Sequence, residues 1–228
     1  MPPSQAAPRV GKGFNGNGKG SNLARIRGPV CRLCRREGMK LFLKGDRCFS
    51  EKCAVEKRRF APGQHGKRRT KVQGYGIQLR EKQKVKRIYG MLENQFRLVY
   101  QKAVRSRGVT GEVLLQMLER RLDNVVLKLG FASSRWQARQ IISHGHIRVN
   151  GRKVDIPSYG VKAGDVITLR DRIRKNAFLL AAVEHTRGIP EWLSLDADAL
   201  KGTVVSLPVR ESITLPIQEQ MIIELYSK

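Results

Sequence analysis

The sequence predicts an α+β protein that is mostly helical, with a small antiparallel sheet and an N-terminal four-cysteine knuckle. Three observations lead there. Apolar residues recur every three or four positions between about residues 77 and 142, an Asn150-Gly151 pair sits between two short alternating stretches, and all four cysteines lie between positions 31 and 53.

In chain order, residues 1–26 are rich in Gly, Asn and Pro and read as a flexible extension, either a solvated start or a tail that threads RNA. No apolar stretch of signal-peptide or membrane-spanning length occurs, so a cytoplasmic protein with no membrane partner is expected. The cysteines follow as Cys31-x-x-Cys34 and Cys48-x4-Cys53. The first pair forms a chelating knuckle, and the Gly45-Asp46-Arg47 turn can fold the second pair back onto the same ion. Four thiolates suit tetrahedral Zn2+ in a closed structural site. An iron–sulfur cluster uses the same donors and is the less favoured metal, and four spare reduced cysteines are the plain alternative. Arg32, Arg35, Arg36 and Lys40 make the knuckle a basic projection.

Pro62, Gly63 and Gly66 then preclude a regular helix. They leave an extended loop whose Lys67, Arg68, Arg69 and Lys71 are too dense to pair internally, the composition of a phosphate-following strap. His65 in that loop is expected to hydrogen-bond locally rather than act as an acid or ligand. A helix is expected from near Ile77, with Arg80, Lys82, Lys84, Lys86 and Arg87 distributed over its surface and Glu81 the one acid in the run, which reads as an RNA contact rather than a solvated face. Leu92, Phe96, Val99, Tyr100 and Val104 make a core stripe that Thr110 and Gly111 break. Leu114, Leu118, Leu122, Val125 and Leu129 predict a further helix ended by Gly130. Ser134, with Gln137 three residues on, caps a helix that should turn Ala138, Ile141 and Ile142 inward and the pair Arg135 and Arg139 outward. The Asn-Gly hairpin lifts Arg148, Arg152 and Lys153 to the sheet rim, and Val166 to Leu169 makes another strand. His144 and His146 lack a third metal ligand and are assigned to backbone or phosphate hydrogen bonding.

Charge narrows the function. Against 45 Lys+Arg stand only 19 Asp+Glu, a formal net charge of +26 over 228 residues. Self-repulsion of that size disfavours a compact chain unless a polyanion neutralises it. Aromatic residues make up only 6%, too few for a single-strand stacking surface, so folded RNA or duplex held by backbone and shape is the expected ligand. From Arg25 to Gly90 there are 21 basic and 5 acidic residues, whereas from Asp171 to Lys228 there are 7 and 8; the phosphate-rich partner should therefore meet the first two-thirds of the chain.

The stretch RLDNVVLKLGFASSRWQARQIISHGHIRVNGRKVDIPSY resembles the RNA-binding module named after small-subunit ribosomal protein four. RGPVCRLCRREG, APGQHGK, LREKQKVKRIYG, WLSLD and ELYSK resemble the bacterial ribosomal family itself, from Arg27 to Lys228. The module also occurs in synthases and synthetases, but the full series in this order is specific.

The resemblance implies a helical domain into which the RNA-binding module, two helices plus a small antiparallel sheet, is inserted, with the C-terminal segment returning to pack beside the helices of residues 77–118. The expected division is a flexible extension (1–26), a four-cysteine zinc knuckle region (27–65), a helical domain (66–118 and 190–228) and the module (119–182). It also implies zinc on Cys31, Cys34, Cys48 and Cys53, and binding to the 5′ domain of 16S ribosomal RNA at a multi-helix junction, nucleating assembly of the 30S body. Small-subunit protein five is an implied partner, with protein twelve sharing an influence on accuracy. The loop carrying Gln64, His65, Lys67, Arg68 and Arg69 corresponds to a family segment near the messenger RNA entrance. Arg121 and Asn150 join the expected RNA contacts. Neither DNA nor a small-molecule substrate is expected. Two departures stand: the first 20 or so residues exceed the usual family start, and Asp171 to Pro190 match no family motif.

The rival reading is a pseudouridine synthase, since some pair such a module with an Arg-Leu-Asp motif, here Arg121-Leu122-Asp123. No separate catalytic domain accompanies it, and a salt bridge with a neighbouring arginine is the plainer role for Asp123. A zinc-dependent DNA-binding regulator is the third class.

Overall fold

A computed structural model describes residues 28–68, 73–184, 186 and 188–227. The extension expected over residues 1–26 and the cations Arg69 and Lys71 lie outside the described residues.

Among the described residues, the first of two hydrophobic clusters is helical. α1 (Cys31–Glu37) ends at Gly38, whose left-handed φ of 70° lets its N–H reach the Cys34 carbonyl. A 3₁₀ turn (Gly45–Cys48) and α2 (Ala54–Lys57) follow. α3 (Tyr75–Ile88) buries Val85 and Ile88, α4 (Glu93–Arg105) buries Phe96, and α5 (Thr110–Glu119) buries Leu114, Leu115 and Leu118. Thr110 and Gly111 thus open α5 rather than only ending its predecessor.

The apolar stripe from Leu114 to Leu129 is not one helix. α5 stops at Glu119, Arg121 takes an extended backbone (ψ 136°), and α6 (Leu122–Lys128) begins afresh. At the break the N–H groups of Leu122 and Asp123 donate to the carbonyls of Tyr159 and Pro157 at 2.8 and 3.1 Å, so the 157–161 loop satisfies groups a helix start leaves unpaired. Hydrophobic spacing survives this interruption, which is why periodicity misses it. α7 (Arg135–Ser143) is capped as expected, the Ser134 hydroxyl accepting the Gln137 N–H at 3.3 Å.

Next come β1 (Ile147–Val149), β2 (Arg152–Lys153), β3 (Val166–Leu169), α8 (Asp171–Arg174), α9 (Ala177–Glu184), β4 (Leu193–Asp196), β5 (Lys201–Val204) and α10 (Glu219–Tyr226). The strands form one antiparallel sheet in the order β2-β1-β3-β5-β4. Asn150 (φ 50°) and Gly151 (φ 78°) make the hairpin turn between β1 and β2. The sheet's inner face, with α6 and α7, forms the second cluster around Val126, Phe131, Ile142, Ile147 and Ile167.

The C-terminal segment divides, which corrects the expected return of residues 190–228 to the helices. The part from about residue 208 onward does so, Ile213 and Ile217 entering the helical cluster and α10 packing on α3 and α5. β4 and β5 instead extend the sheet of the module, and Trp192, Leu193, Leu200 and Val204 enter its core. The physical reason is the free edge of β3, which needs a partner. Gly202 makes the fit possible: an added Cβ would lie 2.3 Å from Cδ1 of Leu129, the residue that caps the end of α6.

α10 is fastened by charge as well as packing. Glu93 accepts hydrogen bonds from Lys82 (2.5 Å), Lys86 (2.9 Å) and the Tyr226 hydroxyl (2.9 Å). Burial alone would raise this carboxyl, but the three donors hold it down at about 2. The Tyr226 ring stacks on Tyr100, centroids 4.5 Å apart. Among the described residues no helix is long and apolar enough to cross a membrane.

Candidate nucleic-acid interface

A cation can hold a phosphate only if its charge is solvent-facing and not already spent inside the protein. The expected contacts separate sharply on that criterion.

Arg121, Arg135 and Arg139 are interior, with 8%, 9% and 7% of their surface exposed, so the outward-facing pair expected on α7 is absent. They belong to a buried polar network. Asp123, at the start of α6, accepts from Arg121 Nη2 at 2.9 Å and from Arg139 Nε at 2.7 Å. Arg139 also donates to the carbonyls of Gly90 (2.5 Å) and Tyr89 (2.7 Å) at the end of α3. Burial lowers the Arg139 pKa, against the pull of Asp123. Arg135 Nε donates to Asn124 Oδ1 at 3.0 Å, and Asn124 Nδ2 to Glu119 Oε2 at 2.6 Å. Glu119 accepts the Tyr89 hydroxyl at 2.5 Å, and burial followed by the Glu119 charge pushes that phenol well up. α6 and α7 are thereby tied to the end of α3. Sequence reading missed Tyr89, Glu119 and Asn124; the available signal was a charged and amide cluster, ERRLDN, set into an apolar stripe with no polar face to occupy.

The α3 cations are largely spent too. Lys82 is buried on Glu93, Lys84 pairs with Glu81 (2.7 Å) and donates to the Pro216 carbonyl, and Arg87 pairs with the buried Glu37, which Arg80 also approaches at 3.6 Å. The expected distribution of free charge over this helix is therefore corrected: Glu37 on α1 and Glu93 on α4 reach across to it. Burial pushes the Glu37 carboxyl up, while Arg87 and Arg80 draw it down.

Among the expected contacts, the solvent-facing cations include those of the hairpin. Arg148, Arg152 and Lys153 are exposed, as expected. Register sets Lys153 opposite Arg148, Arg148 opposite Thr168, and Thr168 opposite Lys201, giving a row across the outward sheet face that ends at Asp196. Adjacent strands are about 4.8 Å apart, so the row can follow a phosphate backbone. Lys201 was invisible to sequence reasoning because strand pairing alone brings β5 beside β3. Asn150 is structural: its side chain accepts the Val166 N–H (2.8 Å) and donates to Asp165 (2.9 Å).

In the 60–68 loop, Gln64, His65, Lys67 and Arg68 are exposed. The loop is turned rather than extended, with Gly66 N–H donating to Gly63 and Arg68 N–H to His65. Arg35 fastens it to α1 through the Phe60 carbonyl (3.0 Å), and the Arg35 and Lys67 charges lie over the Phe60 ring at 5.1 and 5.5 Å. Arg36 approaches the Pro62 carbonyl at 3.5 Å. His144 and His146 meet edge-on, centroids 6.1 Å apart, beside a cleft of about 250 Å³. His146 Nδ1 is buried without a hydrogen bond among the described residues, and burial lowers its pKa.

Cys34, Cys48 and Cys53 are buried and Cys31 is half-buried, all as free thiols. The Lys44 N–H points at Cys48 Sγ at 3.3 Å. Burial pushes the Cys34 and Cys48 thiols up, and the neighbouring cysteines add to it. This donor chemistry fits zinc, although no three His, Cys, Asp or Glu side chains among the described residues are drawn together as a ligand cage.

Comparison with known proteins matches residues 25–119 to the family described as ribosomal protein S4/S9 N-terminal domain, and residues 120–167 to the S4 domain. The chain is 62% identical over 208 residues to small ribosomal subunit protein uS4 of Geobacter sp. (strain M21), spanning 90% of this chain and 100% of that protein. It is 61% identical over 206 residues to the protein of the same name from Thermoanaerobacter sp. (strain X514), again 90% and 100%.

Proposed function

The chain belongs to the small ribosomal subunit protein uS4 family, whose members are structural proteins and not enzymes, and from that premise we propose that it binds 16S ribosomal RNA within the cytoplasmic small subunit. The observation that carries this reading is the row Lys153, Arg148, Lys201 on the outward sheet face of a chain with net charge +26. The hairpin row places the phosphate backbone. The buried network, by holding α7 to the carbonyls of Tyr89 and Gly90, fixes how that row is presented relative to the helices. The test is competition: a transcript of the 16S 5′ domain should stay bound at physiological salt against excess duplex DNA, and displacement by the duplex would overturn the reading.

The finer parts of the proposal are binding at a multi-helix junction of the 5′ domain, nucleation of the 30S body, and contact with small-subunit protein five, through which, with protein twelve, it influences accuracy. The exposed Gln64, His65, Lys67 and Arg68 suit a site beside the incoming messenger. Asp123 argues against the synthase alternative: a carboxylate 1% exposed and clamped by two arginines cannot reach a base.

Zinc on Cys31, Cys34, Cys48 and Cys53 would be structural, cross-linking a region that contributes few core residues of its own. Cys31→Ser is expected to abolish stoichiometric zinc by elemental analysis and to disorder residues up to about 53 while the module stays folded. Full metal content in that variant would refute four-cysteine ligation.

A further inference from the structure

The run Leu41-Phe42-Leu43 buries both leucines, at 3% and 4% exposure, and turns the phenylalanine between them to solvent at 42%. Phe42 does so in a left-handed conformation, φ 51°, which is unfavourable for a residue with a side chain of this size. Its ring stacks on Phe49, 48% exposed, with centroids 4.9 Å apart and planes 27° from parallel. The loop bearing this pair is seated firmly: Gly45 is buried, and a Cβ there would lie 2.5 Å from the Ser133 carbonyl oxygen. The rings border a cleft of about 560 Å³ that continues to Lys128 and Ser133. Lys44 and Arg47 are exposed on the same loop, and among the described residues Asp46 is the one acid lining the cleft.

A fixed aromatic face on a loop that carries Lys44 and Arg47, with Lys128 lining the adjoining cleft, matches a nucleotide better than an apolar peptide, because a base offers a flat π surface and its phosphate an anion. Building on the proposed RNA-binding role, we infer that the Phe42–Phe49 pair is a stacking site for an unpaired base of the bound RNA, with Lys44, Arg47 and Lys128 placed for its phosphates. Aromatic residues are scarce in this chain, and this exposed pair adds base recognition to an otherwise backbone-directed surface.

The test uses the full chain and the 16S 5′-domain transcript, comparing wild type, the double variant Phe42→Leu/Phe49→Leu, and Phe42→Tyr/Phe49→Tyr. Leucine keeps the apolar bulk and removes the flat face; tyrosine keeps the face. The leucine variant is expected to weaken binding about 5- to 100-fold, with an unchanged log–log salt slope, since stacking releases no counterions. In a chemical footprint one unpaired nucleotide should lose its protection, and the tyrosine variant should restore both. A leucine variant that melts like wild type and binds with unaltered affinity and footprint overturns the inference. So does a failure of tyrosine to restore binding, or an unchanged RNA affinity combined with lost association with another small-subunit protein. If the wild-type chain does not bind the transcript, the RNA-binding reading itself falls; wild-type binding with an indifferent leucine variant sinks the stacking site alone.

Discussion

Asp123→Ala is expected to destabilise the protein by about 3 to 5 kcal/mol, the usual cost of removing one partner from a buried ion pair. The carboxylate is 1% exposed and is shared by Arg121 and Arg139, so its loss leaves two guanidinium groups inside the protein with no anion between them. Arg139 would keep the Tyr89 and Gly90 carbonyls, but these are dipoles and cannot replace a charge. Urea unfolding checks the prediction, with a lower midpoint at unchanged m-value. A loss below about 1 kcal/mol would mean the pair is screened by water, as surface pairs are. Arg139→Leu alone should also destabilise, and the double variant Asp123→Ala/Arg139→Leu should cost less than the two single effects together, because the groups act as one unit.

The second large effect concerns binding. Changing Arg148, Arg152 and Lys153 together to alanine should reduce the log–log salt slope of transcript binding by about 2 to 3, since each phosphate contact contributes roughly 0.7 to 0.9. All three side chains are exposed, and the Lys153–Asp155 pair at 3.5 Å is a solvent-facing one, so the melting temperature should barely move. A slope equal to that of wild type would remove the hairpin from the interface and shift attention to Lys67 and Arg68. Arg135→Ala/Arg139→Ala, by contrast, is expected to lower stability, because those charges face Asn124 and Asp123 rather than solvent.

Local chemistry was legible wherever a residue acts through its chain neighbours. Ser134 caps α7, Asn150-Gly151 turns the hairpin, and Gly130 (φ 78°) follows the end of α6, each through contacts within a few residues. Charge density was legible as a total and misleading as a map. The run from Arg80 to Arg87 reads as a free basic face because the groups that occupy its members lie outside it: Glu37 and the Pro216 carbonyl come from distant parts of the chain, and Glu93 opens the next helix.

By itself, then, the amino-acid order determined a mostly helical α+β chain, its caps and turn, and an anionic partner, because helix periodicity, turn conformation and net charge depend on neighbours or on sums. Tertiary structure alone decided that Arg121, Arg135 and Arg139 face inward, that residues 193–204 complete the sheet, and that Lys201 joins the cationic row. Each depends on which surfaces meet across the fold, and a guanidinium finds its carboxylate, or a strand its open edge, only after the chain has closed.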